Sequence, residues 1–219
     1  MSVSPEHERI LRRAGREILP GQVVNLGIGL PTGLFHHLPA GGGVLLHSEN
    51  GILGSQLPVD AGPPDLEMID AGGAPISAMP GASVFDSAMS FALIRRGRVD
   101  LSFMGAFEVD SAGNLANWRI PGRFSPGIGG AMELAQKARR LVILCTHTDK
   151  RGAPKIVERC QLPLTAPRCV SRIITERAVM DVTPAGLKVT EIAEGTDIAT
   201  LREQTGCELH IDPDHLGTF

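Results

Sequence analysis

Tyrosine does not occur in this sequence and tryptophan occurs once, so aromatic residues make up only 4% of the 219 positions. A core must then be filled by Val, Ile, Leu, Ala and Met, which the 42% apolar content supplies in ample amount. Charge of one sign is not in excess either: 21 Lys and Arg stand against 24 Asp and Glu, a net −3. Such a balance gives no reason to expect nucleic acid or an anionic membrane surface as a partner. Cysteine is sparse, and Cys145, Cys160, Cys169 and Cys207 form no C-x-x-C pair. That spacing is poor for zinc or redox chemistry, and disulfides are not demanded at this length. Long hydrophobic runs are missing as well. No segment nears the ~20 apolar residues of a membrane helix, and Ser4-Pro5-Glu6-His7-Glu8-Arg9 is charged where a secretion signal would be apolar. The expectation is a soluble, cytoplasmic protein with reduced thiols. The histidines (His7, His36, His37, His47, His147, His210, His215) show no H-x-x-x-H or H-E-x-x-H arrangement, so no metal site is expected.

What is present is an alternation of apolar runs with turns. Ser4 followed by Pro5 and an acidic first turn opens a helix, with Ile10, Leu11, Ala14 and Ile18 on one face and Pro20-Gly21 at its end. Val23–Leu26 reads as a buried strand running into Gly27-Ile28-Gly29, followed by a brief helix around Thr32–Leu38. Gly41-Gly42-Gly43 leads into a second strand, Val44–His47. Residues 55–82, rich in Gly and Pro, read as an irregular surface connection. Phe85–Ile94 has helical spacing, with Phe85, Met89, Ala92 and Leu93 as its core face. Val99–Val109 reads as one strand, Ala131–Ala138 as a helix, and Leu141–Cys145 as a fully buried strand. Beyond Lys155, short apolar runs alternate with turns, and Thr196 caps a last helix, Asp197–Gln204, which Gly206 stops. This order predicts an α/β fold: an open, largely parallel, doubly wound sheet with antiparallel additions near the C-terminus, in one domain spanning 1–219.

Three segments are placed to do chemistry. Glu49 follows a buried strand and precedes an Asn50-Gly51 turn, and the carboxyl ends of strands are where open α/β sheets bind ligands. A carboxylate there can serve as nucleophile, base or metal ligand, or be an ordinary solvated charge beside a turn. Gly127-Ile128-Gly129-Gly130 before a helix suits an anion or a developing oxyanion, or is a loop needing unusual dihedrals. Asn25-Leu26-Gly27-Ile28-Gly29 resembles the start of a dinucleotide fingerprint, but position 32 is Thr32 where its third glycine belongs, so no nicotinamide cofactor is expected. Cys145, at a strand end, could be a nucleophile, but buried cysteine is more often inert packing. Arg95-Arg96, Arg98 and Arg139-Arg140 are read as solvated helix ends, one cluster of which could meet a phosphate.

Taken in order, several segments resemble the B subunit of 3-oxoacid CoA-transferases of the succinyl-CoA:acetoacetate or 3-oxoadipate type. They are Asn25–Thr32, Ser48–Gly54, Pro80–Ala88, Gly113–Trp118, Gly127–Met132 and Thr146–Lys150. The resemblance covers about residues 6 to 205, and Ser-Glu-Asn-Gly followed by Gly-x-Gly-Gly is its specific part. It implies that Glu49 is the catalytic nucleophile, carrying CoA as a glutamyl thioester in a ping-pong reaction. Asn50, Gly51, Gly127, Gly129 and Gly130 would then contribute to CoA or oxyanion binding, and Asn25, Gly27 and Gly29 to the substrate pocket. It further implies an A (alpha) subunit as partner, in an α2β2 assembly, with CoA passing between an acyl-CoA donor such as succinyl-CoA and a small carboxylic acid, a 3-oxoacid. Coenzyme A would be substrate and covalent intermediate, and no cofactor would be permanently bound. The sequence departs from the family pattern at Ser55-Gln56-Leu57, at Gly73 where a lysine is usual, and at Met89 where an acidic residue is common. Hydrolysis or decarboxylation of an acyl-CoA on the same fold, or a non-catalytic subunit, are the competing expectations.

Overall fold

The computed structural model describes residues 4–39, 42–58, 65–125 and 127–219. Gly41 of the triple-glycine run and positions 59–64 of the 55–82 connection lie outside the described residues. The chain opens with α1 (Pro5–Gly15), whose N-cap Ser4 accepts a hydrogen bond from the His7 N–H and whose first turn carries Glu6 and Glu8 against the helix dipole. The strands follow as β1 (Val23–Leu26), β2 (Leu45–Ser48), β3 (Ile52–Gln56), β4 (Ser77–Val84), β5 (Leu101–Met104), β6 (Glu108–Asp110), β7 (Leu115–Ala116) and β8 (Leu141–Leu144). The rest are β9 (Ile156–Val157), β10 (Arg172–Ile174), β11 (Ala178–Thr183), β12 (Gly186–Ile192), β13 (Leu209–Ile211) and β14 (Gly217–Thr218). A 3-10 helix spans Leu30–His37, and α2 (Ser87–Arg95), α3 (Ala131–Lys137) and α4 (Ile198–Glu203) complete the helices used below.

Five parallel strands, in the order β10-β8-β5-β1-β2, form the centre of the main sheet. Numbered along the chain, that order is 2-1-3-4-5, the doubly wound arrangement whose direction of winding reverses between β1 and β5. Alternation along the strands sends side chains to two separate apolar clusters. Val24, Leu46, Leu101, Phe103, Val142 and Leu144 pack under α1 and the 3-10 helix, while Met104, Leu141, Ile143 and Ile173 pack under α2 and α3. Strand β8 is buried on both faces, which is why its run of four apolar residues is continuous rather than alternating.

Antiparallel strands flank the parallel centre on both sides. β11 and β12 extend it beyond β10, as the C-terminal sequence suggests. The β3–β4 hairpin extends it beyond β2, and this corrects the expected irregular connection: Ser77–Val84 is the edge strand, pairing with β3 through a register shift. None of its eight residues is buried, so no apolar alternation marks it in the sequence. Val99–Val109 is also corrected. The strand ends at Met104, the chain turns through Gly105 and Ala106, and Glu108–Asp110 joins a separate three-stranded sheet, β7-β6-β9. In α2 the buried residues are Ser90 and Ile94, whereas Met89 is 53% exposed, so the expected core face was rotated. The cap of α4 is Asp197 rather than Thr196, its carboxylate accepting from the Thr200 N–H at 2.8 Å.

A buried charge network ties α1 to the sheet's far half. Glu17 accepts from Arg13, Arg140 and Arg172, each at 2.7 Å, while Arg13 also binds Glu191 and Arg172 binds Asp181. Burial alone would raise the Glu17 pKa, but hydrogen bonds from Arg13 and Arg172 and the charges of Arg172 and Arg140 outweigh it and hold it low.

Candidate active site

Where the winding reverses, the strands on either side diverge and leave a crevice at their carboxyl ends. A cavity of about 450 Å³ opens there. Its floor is built from the residues that end β1 and β5, with Asn25, Gly27 and Ile28 on one side and Met104, Gly105 and Phe107 on the other. Asn117, Trp118 and the stretch Gly127–Ala131 with Leu134 form the remaining walls. Glu49, just past the end of β2, turns its side chain into this space.

The position of Glu49 has a local cause. Gly51 sits at φ +126, and a Cβ there would lie 1.9 Å from the Phe85 carbonyl oxygen. Only glycine lets the turn press against the segment that enters α2, a contact sealed by the Phe85 N–H donating to the Gly51 carbonyl at 2.9 Å. Asn50 faces outward, its amide donating to the Ile69 carbonyl at 2.8 Å. Asn50 and Gly51 thus shape the turn but do not line the cavity, and neither does Gly29, which precedes the 3-10 helix.

A row of buried polar side chains crosses the sheet beneath the carboxylate. His47, Asn25 and Ser102 are neighbours in register on β2, β1 and β5. Ser102 Oγ donates to Asn25 Oδ1 at 3.3 Å, and Asn25 Nδ2 donates to the His47 carbonyl at 3.1 Å and to Glu49 Oε2 at 3.4 Å. His47 Nε2 lies 2.9 Å from Ser90 Oγ on α2, and burial lowers the His47 pKa to about 4, so the ring is neutral. On the opposite wall Gly130 packs against the nucleophile candidate: a methyl group there would sit 2.9 Å from Phe91 Cζ and 3.3 Å from Glu49 Cγ.

The sequence reading placed Glu49, Asn25, Gly27, Gly127, Gly129 and Gly130 as site candidates, and the fold gathers all six around one cavity. Ile28, Met104, Gly105, Phe107, Asn117, Trp118, Ala131 and Leu134 are wall residues that the sequence does not mark as site candidates. Gly105, immediately after a buried strand, was the available signal; Leu134 carried none, because a core leucine and a pocket leucine look alike in sequence. The arginine clusters lie elsewhere. Arg95 pairs with Glu133, Arg139 with Asp100 and Arg140 with Glu17. Cys145 is buried, which pushes its thiol up to about 12 and leaves it protonated. Among the described residues no group of three or more His, Cys, Asp or Glu is arranged to hold a metal ion, and no helix is long and apolar enough to cross a membrane.

Comparison with known proteins decides the lineage. The family model described as coenzyme A transferase matches residues 7–204. The chain belongs to the coenzyme A transferase family. Within that family it is 46% identical to the beta subunit of the acetate CoA-transferase of Escherichia coli strain K12, over 94% of this chain and 94% of that one. It is 42% identical to the B subunit of the probable succinyl-CoA:3-ketoacid coenzyme A transferase of Bacillus subtilis strain 168, over 96% of this chain and 98% of that one. Among solved structures, the acyl-CoA transferase YdiF of Escherichia coli O157:H7 shares the fold with a TM-score of 0.79 at 21% identity. All of this chain aligns there, but it spans only 44% of the YdiF chain. The CoA-transferase fold is thus the α/β sheet expected from the sequence.

Proposed function

We propose that this chain is the B subunit of a CoA-transferase of the 3-oxoacid type, completed by an A subunit in an α2β2 assembly, with Glu49 as its covalent nucleophile. The observation that carries this reading is the setting of one carboxylate. Glu49 enters an apolar-walled cavity at the switch point, held at one oxygen by Asn25 and backed by the Gly130 turn. Relatives named as beta and B subunits supply the partner class.

The chemistry follows from that setting. A Glu49 oxygen attacks the thioester carbonyl of an acyl-CoA, and the C–S bond breaks to give an acyl-glutamyl anhydride and CoA thiolate. The thiolate attacks the glutamyl carbonyl, expelling the first acid as a carboxylate and leaving a glutamyl-CoA thioester. An acceptor carboxylate then attacks that thioester, and the returning thiolate takes the new acyl group and frees Glu49. No electrons change hands, so the reaction asks for no redox cofactor. Each addition passes through an oxyanion, for which the backbone N–H groups of Gly129 and Gly130 are the proposed donors, worth about 3 kcal/mol per well-aimed group.

The test is to combine the chain with an A-type subunit, add acyl-CoA without acceptor, and search Glu49 for a CoA adduct by mass spectrometry. The adduct and its loss in Glu49→Gln are expected. A Glu49→Ala mixture that still exchanges CoA sinks the proposal. Steady release of free CoA in the absence of any acceptor acid points instead to a hydrolase.

A further inference from the structure

Three adjacent strands, β2, β1 and β5, each place one polar side chain on the buried face below Glu49. These are His47, Asn25 and Ser102, and they are 4%, 1% and 0% exposed. In a sheet covered on both faces, such a side chain costs free energy unless its hydrogen-bonding atoms find partners. Their neighbours on the same strands, Leu46, Val24, Leu101 and Phe103, are apolar and buried, so the polar row is a local exception to the packing around it. Among the described residues, Asn25 is the one member of the row that bonds to the Glu49 carboxylate. Ser102 reaches that carboxylate only through Asn25.

The direction of each bond gives Ser102 its task. The Asn25 Nδ2 group serves two acceptors, the His47 carbonyl at 3.1 Å and Glu49 Oε2 at 3.4 Å. An amide turned end for end would set its oxygen against both, acceptor facing acceptor. With both N–H groups used on that side, Oδ1 needs a donor on the other, and the Ser102 hydroxyl supplies it at 3.3 Å. We infer that Ser102 is a positioning residue for the transfer reaction: its hydroxyl fixes the Asn25 amide, and the amide fixes the Glu49 carboxylate. The inference rests on the proposed role of Glu49. With Oε2 held by Asn25, Oε1 is the oxygen free to attack, and the amide sets its line of approach. Without the hydroxyl, the His47 carbonyl is the amide's remaining anchor in the sheet, and the buried Oδ1 loses its donor.

The experiment assays Ser102→Thr and Ser102→Val in the assembled two-subunit enzyme. Both add similar bulk to the same buried site, and one keeps the hydroxyl while the other loses it. Packing strain is common to the pair, so their ratio reads the hydrogen bond. In a single turnover Ser102→Val is expected to form the Glu49 adduct about tenfold more slowly than Ser102→Thr, and in the steady state to lose kcat with KM within about twofold. In an Asn25→Ala background the two should agree within about twofold, because the hydroxyl then has no amide to hold. A merely structural serine would give the same ratio in both backgrounds, and that result overturns the inference. So does equal adduct formation by Ser102→Val and Ser102→Thr in the parent background. Should Ser102→Val not fold, Ser102→Ala, which adds no bulk, is compared with the parent and read by the same ratios. The parent enzyme separates the two levels of failure. If it forms the Glu49 adduct and loss of the hydroxyl leaves the rate unchanged, only the positioning role is wrong; if it forms none, the nucleophile assignment falls and the role of Ser102 with it.

Discussion

Replacing Gly130 by alanine isolates the contact between the glycine turn and Glu49. The backbone at Gly130 has φ −79 and ψ −2, a conformation alanine accepts, so the substitution introduces no torsional strain. Its methyl group, however, would lie 2.9 Å from Phe91 Cζ and 3.3 Å from Glu49 Cγ, inside the ~3.5–4.0 Å of a relaxed carbon contact. The Phe91 ring and the glutamate must each give by some tenths of an ångström. Overpacking of this kind costs ~1–2 kcal/mol of stability, or roughly 2–8 °C in Tm for a chain of this size. Activity should suffer more. A reacting group displaced by up to ~1 Å loses as much as ~10²-fold, so kcat/KM is expected to fall by roughly 10- to 100-fold, or ~1.4–2.7 kcal/mol of barrier. The assay is steady-state CoA exchange by the assembled enzyme, run beside thermal unfolding of the same samples. Adding Phe91→Leu removes the ring contact with less loss of packing but leaves the methyl group on Glu49, so it should relieve stability more than rate. A Gly130→Ala enzyme with kcat/KM within about twofold of the parent, and an unchanged adduct yield, would refute the placement of the turn against the reacting carboxylate.

Other perturbations read other parts of the fold. Glu17→Gln leaves the buried arginines one charge short of neutrality and should cost ~3–5 kcal/mol in urea unfolding; a loss under ~1 kcal/mol would show that Glu191 and Asp181 suffice. Because the Glu17 pKa is depressed in the folded state, its contribution is present above the unfolded value of 4.5 and fades as the pH drops through the folded one. His47 and His147 are neutral in the fold, with burial, and for His147 also the Arg177 charge, lowering each pKa from 6.5 to about 4. The unfolded chain therefore binds more protons between those values, and stability should decline on acidification from about pH 6.5 to 4 by up to ~3 kcal/mol per histidine. A pH-stability curve that is flat across that window contradicts the burial of both rings. Gly51→Ala forces a methyl group into the Phe85 carbonyl at a left-handed φ, so the expected outcome is a fall of several kcal/mol in stability, with the soluble yield dropping accordingly. Normal stability there would mean that the turn is not pressed onto the entry to α2.

What could be read in advance and what could not divides along physical lines. Local signals were sound where one segment decides its own state: Ser4 and Pro5 start α1, the unbroken run of β8 marks a doubly buried strand, and Glu49 before Asn-Gly marks a strand end. The edge strand β4 is hidden because none of its residues is buried, so no apolar face imposes an alternation on its sequence. The break after Met104 was hidden because apolar residues continue across it; only Gly105 hints that the chain leaves one sheet for another. Met89 is misplaced because a face counted from Phe85 runs one residue ahead of the buried Ser90 and Ile94 in a helix capped at Asp86. The support of Glu49 by Ser102 through Asn25 depends on residues 77 apart, and no window of sequence contains it.

The order reversal between β1 and β5 has a consequence for the history of each molecule. The walls around Glu49 are drawn from positions as early as Asn25 and as late as Leu134. A growing chain that has just released residue 50 from the ribosome therefore carries the glutamate with no enclosure around it. The enclosure closes only after a further stretch of chain has emerged and β5 has docked beside β1. Until then the carboxylate is one more hydrated acid, so on the proposed reading the chain's own half of the site is complete only late in synthesis, and a partner subunit has nothing to complete before that point.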